Sequence, residues 1–305
     1  MKARTGISQR GGGSRVRSPH RQASSAAFTL IELLAVIAIM ALIAALVGPT
    51  VTQFRKGDAI AAATRQMLDA VDRARQLAIS EHTTVYMLFV RTNFWNEAPD
   101  PDTFLQPLNP RQRVAVTNLI DKQLIGYNFL SLHSVGDQPG RNTPHYLSSW
   151  QALPEDSFVP LWKFNLASNA VYRITNSLNG QFFDVQGFQT NAFPFPDEEV
   201  LYSQAPYSSL SVTLPYIAFN YLGQLTSGDG QLLDHDEFIP LARGNVAVVI
   251  NANKVPIMMP PPYPPAGPSG PGVVEAPPGN SITSFNLIHI DRLTGRARVE
   301  RQEVQ

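Results

Sequence analysis

From Phe28 to Val47 every position is apolar except Thr29 and Glu32. At about 1.5 Å per residue such a helix spans roughly 30 Å, the thickness of a bilayer's hydrocarbon core. The pattern therefore predicts a transmembrane segment over 28–49. Gly48 and Pro49 close the run. Pro49 has no N–H for the carbonyl of Ala45, which leaves two readings, a helix that loosens there and continues or one that stops. From Val51 to Ile79 the pattern turns amphipathic, with Ile60, Ala63, Met67, Ala70, Val71, Ala74, Leu77 and Ala78 recurring every three or four residues. Arg65, Asp69, Asp72, Arg73 and Gln76 fall largely elsewhere, and Asp69 with Arg73 makes an i,i+4 pair. The spacing predicts helix over 50–80, its stripe packed on a sheet.

Beyond residue 83 the period changes to that of strands. Thr83–Val90 is β-branched and aromatic, free of Gly and Pro. Further strands are predicted at Val114–Ile120, Val171–Thr175, Gln181–Val185, Leu210–Leu214, Tyr216–Tyr221, Val246–Asn251, Ser284–Ile290 and Arg296–Arg301. Turns are expected at Leu222-Gly223 and Leu293–Gly295. Residues 91–209 read as long loops with short strands. Residues 256–279 are Pro/Gly-rich and predict an extended loop between two strands, either a connector or a docking segment. The expected fold class is α+β: a long N-terminal helix, transmembrane in its first half and amphipathic in its second, packed on an antiparallel β-sheet head over 83–305.

Charge adds orientation. Residues 1–27 hold Lys2, Arg4, Arg10, Arg15, Arg17 and Arg21 and no acid, which predicts a basic leader kept in the cytoplasm. The remaining 18 cations face 24 acids, a poor balance for binding nucleic acid. There is no cysteine, so disulfides and thiolate chemistry are excluded. The apolar run is longer than a secretory h-region, and its small residues (Ala23 to Ala27) precede it, on the wrong side for signal peptidase. Small residues followed by Phe-Thr-x-x-Glu predict cleavage on the cytoplasmic side that keeps the helix.

The segment AAFTLIELLAVIAIMALIAAL resembles the N-terminus of type IV prepilins and type II secretion pseudopilins. The resemblance implies a cut between Ala27 and Phe28 by a prepilin peptidase, methylation of the new amine on Phe28, and a role for Glu32 in assembly. It favours a helix that continues past Gly48 and Pro49. This chain has Ala27 where the family usually has Gly. DRARQLAISEHTTVYMLFV resembles the helix-to-strand join of the H-type minor pseudopilins, and YIAFNYLGQLT and HIDRLTGRARVE resemble their late strands. A carboxylate at membrane depth costs about 2.5–3.5 kcal/mol without a partner. The family offers one: the amine of a neighbouring subunit, which would neutralise Glu32 and set the register. The alternative is a plain signal anchor whose Glu32 snorkels to the interface.

Other chemistry is thin. Asp229, Asp234, Asp236 and Glu237 cluster in SGDGQLLDHDEF; their spacing matches no EF-hand, so a solvated loop is the expectation and Ca²⁺ the weaker alternative. No other cofactor is expected. His20, His82, His133, His145, His235 and His289 lack zinc spacing, and there is neither a G-x-S-x-G nor a P-loop. The function expected is that of a non-enzymatic minor pseudopilin in a secretion or pilus-like filament. It would sit single-pass in a bacterial inner membrane with its head outside the cytoplasm. Its expected partners are prepilin peptidase, other pilin-like subunits and the inner-membrane assembly platform. The alternatives are a pilus-tip protein for adhesion or DNA uptake and an exported enzyme on a signal anchor.

Overall fold

The computed structural model describes residues 29–92, 94, 108, 110–133, 144–165, 170–175, 180–194, 211–250, 256–257, 272–283 and 286–301, with the backbone alone at 44–58, 111, 249–250, 256–257 and 301. The chain divides into two compact units, Met1–Val51 and Thr52–Gln305. Helix α1 covers Leu30–Ser80. Its stripe from Ala63 to Ala78 is buried as the 3.6-residue period requires.

The second unit is built on antiparallel strands. The larger sheet has the order β10 (Leu225–Thr226), β9 (Ser211–Phe219), β1 (Val85–Phe89), β2 (Gly126–Ser131), β3 (His145–Tyr146), with β4 (Gln151–Ala152) on β2 and β8 (Gln189–Pro194) on β9. The smaller runs β14 (Gly272–Glu275), β11 (Glu237–Ala247), β15 (Asn286–Ile290), β16 (Ala297–Arg301), with β5 (Ser157–Phe158) on β11. Two separate pairs are β6 (Val171–Thr175) with β7 (Phe182–Gln186) and β12 (Val249–Ile250) with β13 (Pro256–Ile257). Short helices α3 (Leu161–Asn165) and α4 (Asn280–Thr283) lie in the connections.

Strand β1 is apolar at every position because both of its faces are covered. Side chains alternate along a strand, so Val85, Met87 and Phe89 join the α1 stripe in one core, while Tyr86, Leu88 and Val90 join a second. The first core also takes Ile239, Leu241, Ile288 and Ile290 from the smaller sheet. The second core includes Val116, Leu119 and Ile120 of helix α2 (Pro110–Ile120), with Phe193, Leu214 and Tyr216.

Four expectations are corrected. The long membrane-crossing helix is not found: no helix of the described residues is long and apolar enough to cross a membrane. The fold is mixed α/β with antiparallel sheets, richer in strand than in helix, rather than the expected α+β fold of a long, half-transmembrane helix packed on an antiparallel head. Val114–Ile120 is helix rather than strand, because Pro110 opens a helical turn and Val116, Leu119 and Ile120 fall three and four apart on one buried face. Finally, the strands expected on either side of Pro215 are one strand. The ladder with β1 ends at Tyr216, so Pro215 stands one residue beyond it, opposite Thr190 of β8.

Candidate assembly surface

The N-terminal arm begins with a reciprocal cap. The Thr29 backbone N–H and Oγ1–H both donate to Glu32 Oε2, at 3.0 and 2.9 Å, and the Glu32 N–H donates to Thr29 Oγ1 at 3.3 Å. Thr29 is thus the N-cap and Glu32 the third helical residue of a capping box, which satisfies two donors that a helix start otherwise leaves open. The carboxylate also lies at the positive end of the helix dipole. Glu32 therefore has one partner within its own chain before any neighbour is considered. The signal is present in the sequence as Thr-x-x-Glu ahead of an apolar run, where the membrane pattern masks it.

Past the cap, the arm is apolar all round and uncovered. Leu30 is 80% exposed, Met40 68% and Ile43 54%, and Ile31, Leu33, Leu34, Val36, Ile37, Ile39 and Leu42 are exposed as well. A helix apolar on every side is one built to be buried, since each such side chain contributes roughly 1.5–3 kcal/mol when removed from water. Gly48 and Pro49 are helical in backbone, so the helix does not stop at the proline. Ala27 and Phe28, the expected cleavage and methylation positions, lie outside the described residues.

The four late carboxylates do not converge. Asp229 accepts from Ser227 Oγ within its own turn. Asp234 pairs with its neighbour His235 at 2.6 Å. Asp236 faces His289 Nε2 at 2.8 Å and accepts from the Arg292 N–H at 3.0 Å. Glu237 turns inward to a buried ion pair with Lys163. Asp236 lies just before β11 and reaches the β15–β16 hairpin, whereas Glu237, the first residue of β11, is buried against Lys163. Among the described residues no group of three or more His, Asp or Glu side chains is placed to hold a metal ion.

Asp236 and His289 have the look of an acid–base couple, yet the other ring nitrogen is occupied. Arg298 Nε donates to His289 Nδ1 at 3.1 Å, Glu300 lies 3.4 Å from the same atom, and Phe238 stacks on the ring at 4.5 Å between centroids. The couple braces the β15–β16 hairpin. Lys163 has no exposed surface; it donates to Glu237 and, at 2.6 Å, to the Gln186 carbonyl, with its ammonium 4.4 Å from the Phe188 ring centroid. Burial pushes its pKa down, against the pull of Glu237. The sequence carries a signal here, one cation inside the apolar run SFVPLWKFNL.

Comparison of the chain with protein-family models, with curated proteins and with solved structures finds no match.

Proposed function

We propose that this chain is a prepilin-like subunit, most like a minor pseudopilin, that acts by assembly rather than catalysis. The observation that carries the reading is the exposed apolar arm from Leu30 to Ile43, opened by the Thr29–Glu32 cap, beside a second unit that has its own buried cores. Such a surface is stabilised by being covered, and the arms of neighbouring subunits supply a like one. Prepilin peptidase would cut between Ala27 and Phe28 and the new amine would be methylated. The subunit would work at a bacterial inner membrane, with its head outside the cytoplasm, and join a filament through the assembly platform and other pilin-like subunits. There Glu32 would exchange its Thr29 partner for a neighbour's amine, setting register as a lone polar group does in an apolar seam.

The test is the N-terminal sequence and intact mass of the protein extracted from native membranes. A chain beginning at N-methyl-Phe28 supports the proposal. A chain retaining residues 1–27 where the peptidase is active overturns it. Glu32→Ala should then leave the processed subunit present but absent from filaments, and undiminished incorporation would remove Glu32 from the mechanism.

A further inference from the structure

The buried Lys163–Glu237 pair is chemically odd in its inventory of donors and acceptors. An ammonium carries three protons. Two have acceptors, Glu237 Oε1 and the Gln186 carbonyl at 2.6 Å; beyond these the Phe188 ring stands 4.4 Å from Nζ. Glu237 Oε1 accepts from Lys163 and also from the Phe238 N–H at 3.1 Å. The side chains are 0% and 4% exposed, so no outside substrate reaches either group. The amine's hydrogen-bonded partner, the Glu237 carboxyl group, carries an electrophilic carbon. An ion pair in such a place carries a large desolvation cost, whereas a secondary amide would need one acceptor for its N–H and one donor for its C=O. Both are already in position: the Gln186 carbonyl and the Phe238 N–H.

We infer that Lys163 and Glu237 condense into an intramolecular amide, a covalent cross-link between α3 and β11. In the dry site a proton passes from the ammonium to the carboxylate and settles on Oε2, since Oε1 already accepts from the Phe238 N–H, leaving an amine and a carboxylic acid. The Nζ lone pair attacks Cδ of Glu237, forming the C–N bond. Negative charge gathers on Oε1, where the Phe238 N–H receives it. The C–Oε2 bond breaks, and Oε2 leaves as water with two of the protons that began on the ammonium. One N–H remains on the new amide nitrogen and stays on the Gln186 carbonyl. No oxidant, metal or outside reactant enters the balance. The low pKa that burial imposes on Lys163 favours the free amine this step needs. Fixed contact between the groups replaces a bimolecular encounter. In a chain without cysteine, the product supplies the kind of cross-link that disulfides supply elsewhere.

The inference stands apart from the assembly proposal, and its test does not involve the N-terminus. The folded full-length protein is denatured, digested with trypsin and its peptides weighed. Trypsin does not cut after an amidated lysine. The expected result is loss of cleavage at Lys163 and a branched peptide joining the Lys163 and Glu237 segments, lighter than their sum by one water. Lys163→Arg should give only linear peptides. A wild-type digest dominated by the linear peptide ending at Lys163 overturns the inference. The wild-type digest alone decides it, so a variant that fails to fold does not blunt the test. Glu237→Gln is a poor control, since an amine and a carboxamide yield the same amide with loss of ammonia.

Discussion

Gly295 lies against Gly223 so closely that a Cβ on Gly295 would stand 1.9 Å from the Gly223 carbonyl oxygen. The two turns are clasped onto helix α1, where Arg75 Nε donates to the Thr294 carbonyl at 2.7 Å. Gly295 also has φ +62°, in the left-handed region. Gly295→Ala should therefore cost roughly 2–5 kcal/mol, from backbone strain and from the clash together. Gly180 separates the two causes: its φ is +71° but nothing lies within 4 Å of its added Cβ. Gly180→Ala should cost only the backbone part, about 1–2 kcal/mol. Equal losses for the two variants in urea unfolding would mean the turns do not touch as described.

Those two turns were legible as glycine punctuation, and so was the stripe on α1, because both depend on local geometry alone. Strands β6, β7, β15 and β16 were also legible within a residue or two. What the sequence hid is what depends on distant partners. Strand β2, GYNFLS, carries Gly126 and Asn128 and reads as weak. It is central because β1 and β4 flank it, and Asn128 is satisfied by the Phe129 N–H at 2.7 Å and by Ser148 Oγ at 2.6 Å. Val114–Ile120 looked like a strand because β-branched residues outweigh a weak helical period until Pro110 is read as a helix start. The acids of SGDGQLLDHDEF looked like one cluster because sequence proximity conceals that Glu237 alone enters β11 and is buried against Lys163.

Asp291 should make the β15–β16 turn sensitive to acid. Its carboxylate accepts from the Thr294 N–H at 2.7 Å, Thr294 Oγ1 at 2.8 Å and the Leu293 N–H at 3.2 Å. The Thr294 side chain, then its backbone N–H, holds the Asp291 pKa below the ordinary aspartate value. A carboxylate with a depressed folded pKa binds its proton more readily when unfolded. Its contribution is therefore present above the unfolded value of about 3.9 and lost as pH falls through the lower folded value. Amide exchange at Leu293 and Thr294 should accelerate relative to the β15 core as pH drops below about 4, after correction for intrinsic rates. Thr294→Val should bring the onset to higher pH; an unchanged onset would remove Thr294 as the cause.

Buried phenols set the alkaline limit, and Tyr216 and Tyr146 are two of them. Tyr216, whose hydroxyl donates to Gln189 Oε1 at 2.7 Å, is pushed up to about 12 by burial, and Tyr146, donating to the Pro194 carbonyl at 2.8 Å, is raised by burial as well. Unfolded tyrosine ionises near 10, so the unfolded state loses these protons first. The stability they contribute is complete below about pH 10 and is lost as pH rises through the folded values. In an absorbance titration both phenols should ionise in a cooperative step that coincides with loss of near-ultraviolet dichroism. Tyr216→Phe should reduce the amplitude of that step by one phenol. An ionisation of Tyr216 near 10 with the fold intact would contradict its burial.

Helix α2 makes the sharpest test of the two-faced sheet. Leu119 is 1% exposed and packs in the core that includes Tyr86, Leu88 and Phe193, whereas Val114 on the same helix is 61% exposed. If α2 covers the sheet, Leu119→Ala leaves a cavity and should cost about 2–5 kcal/mol. Val114→Ala should lie within about 0.5 kcal/mol of the parent. The contrast bears on β1 directly. Tyr86, Leu88 and Val90 are apolar on a face that a single-sided sheet would leave to water, and α2 is the helix that gives that pattern its purpose. Equal and small losses for both variants would detach α2 from the sheet and leave that face of β1 without an explanation.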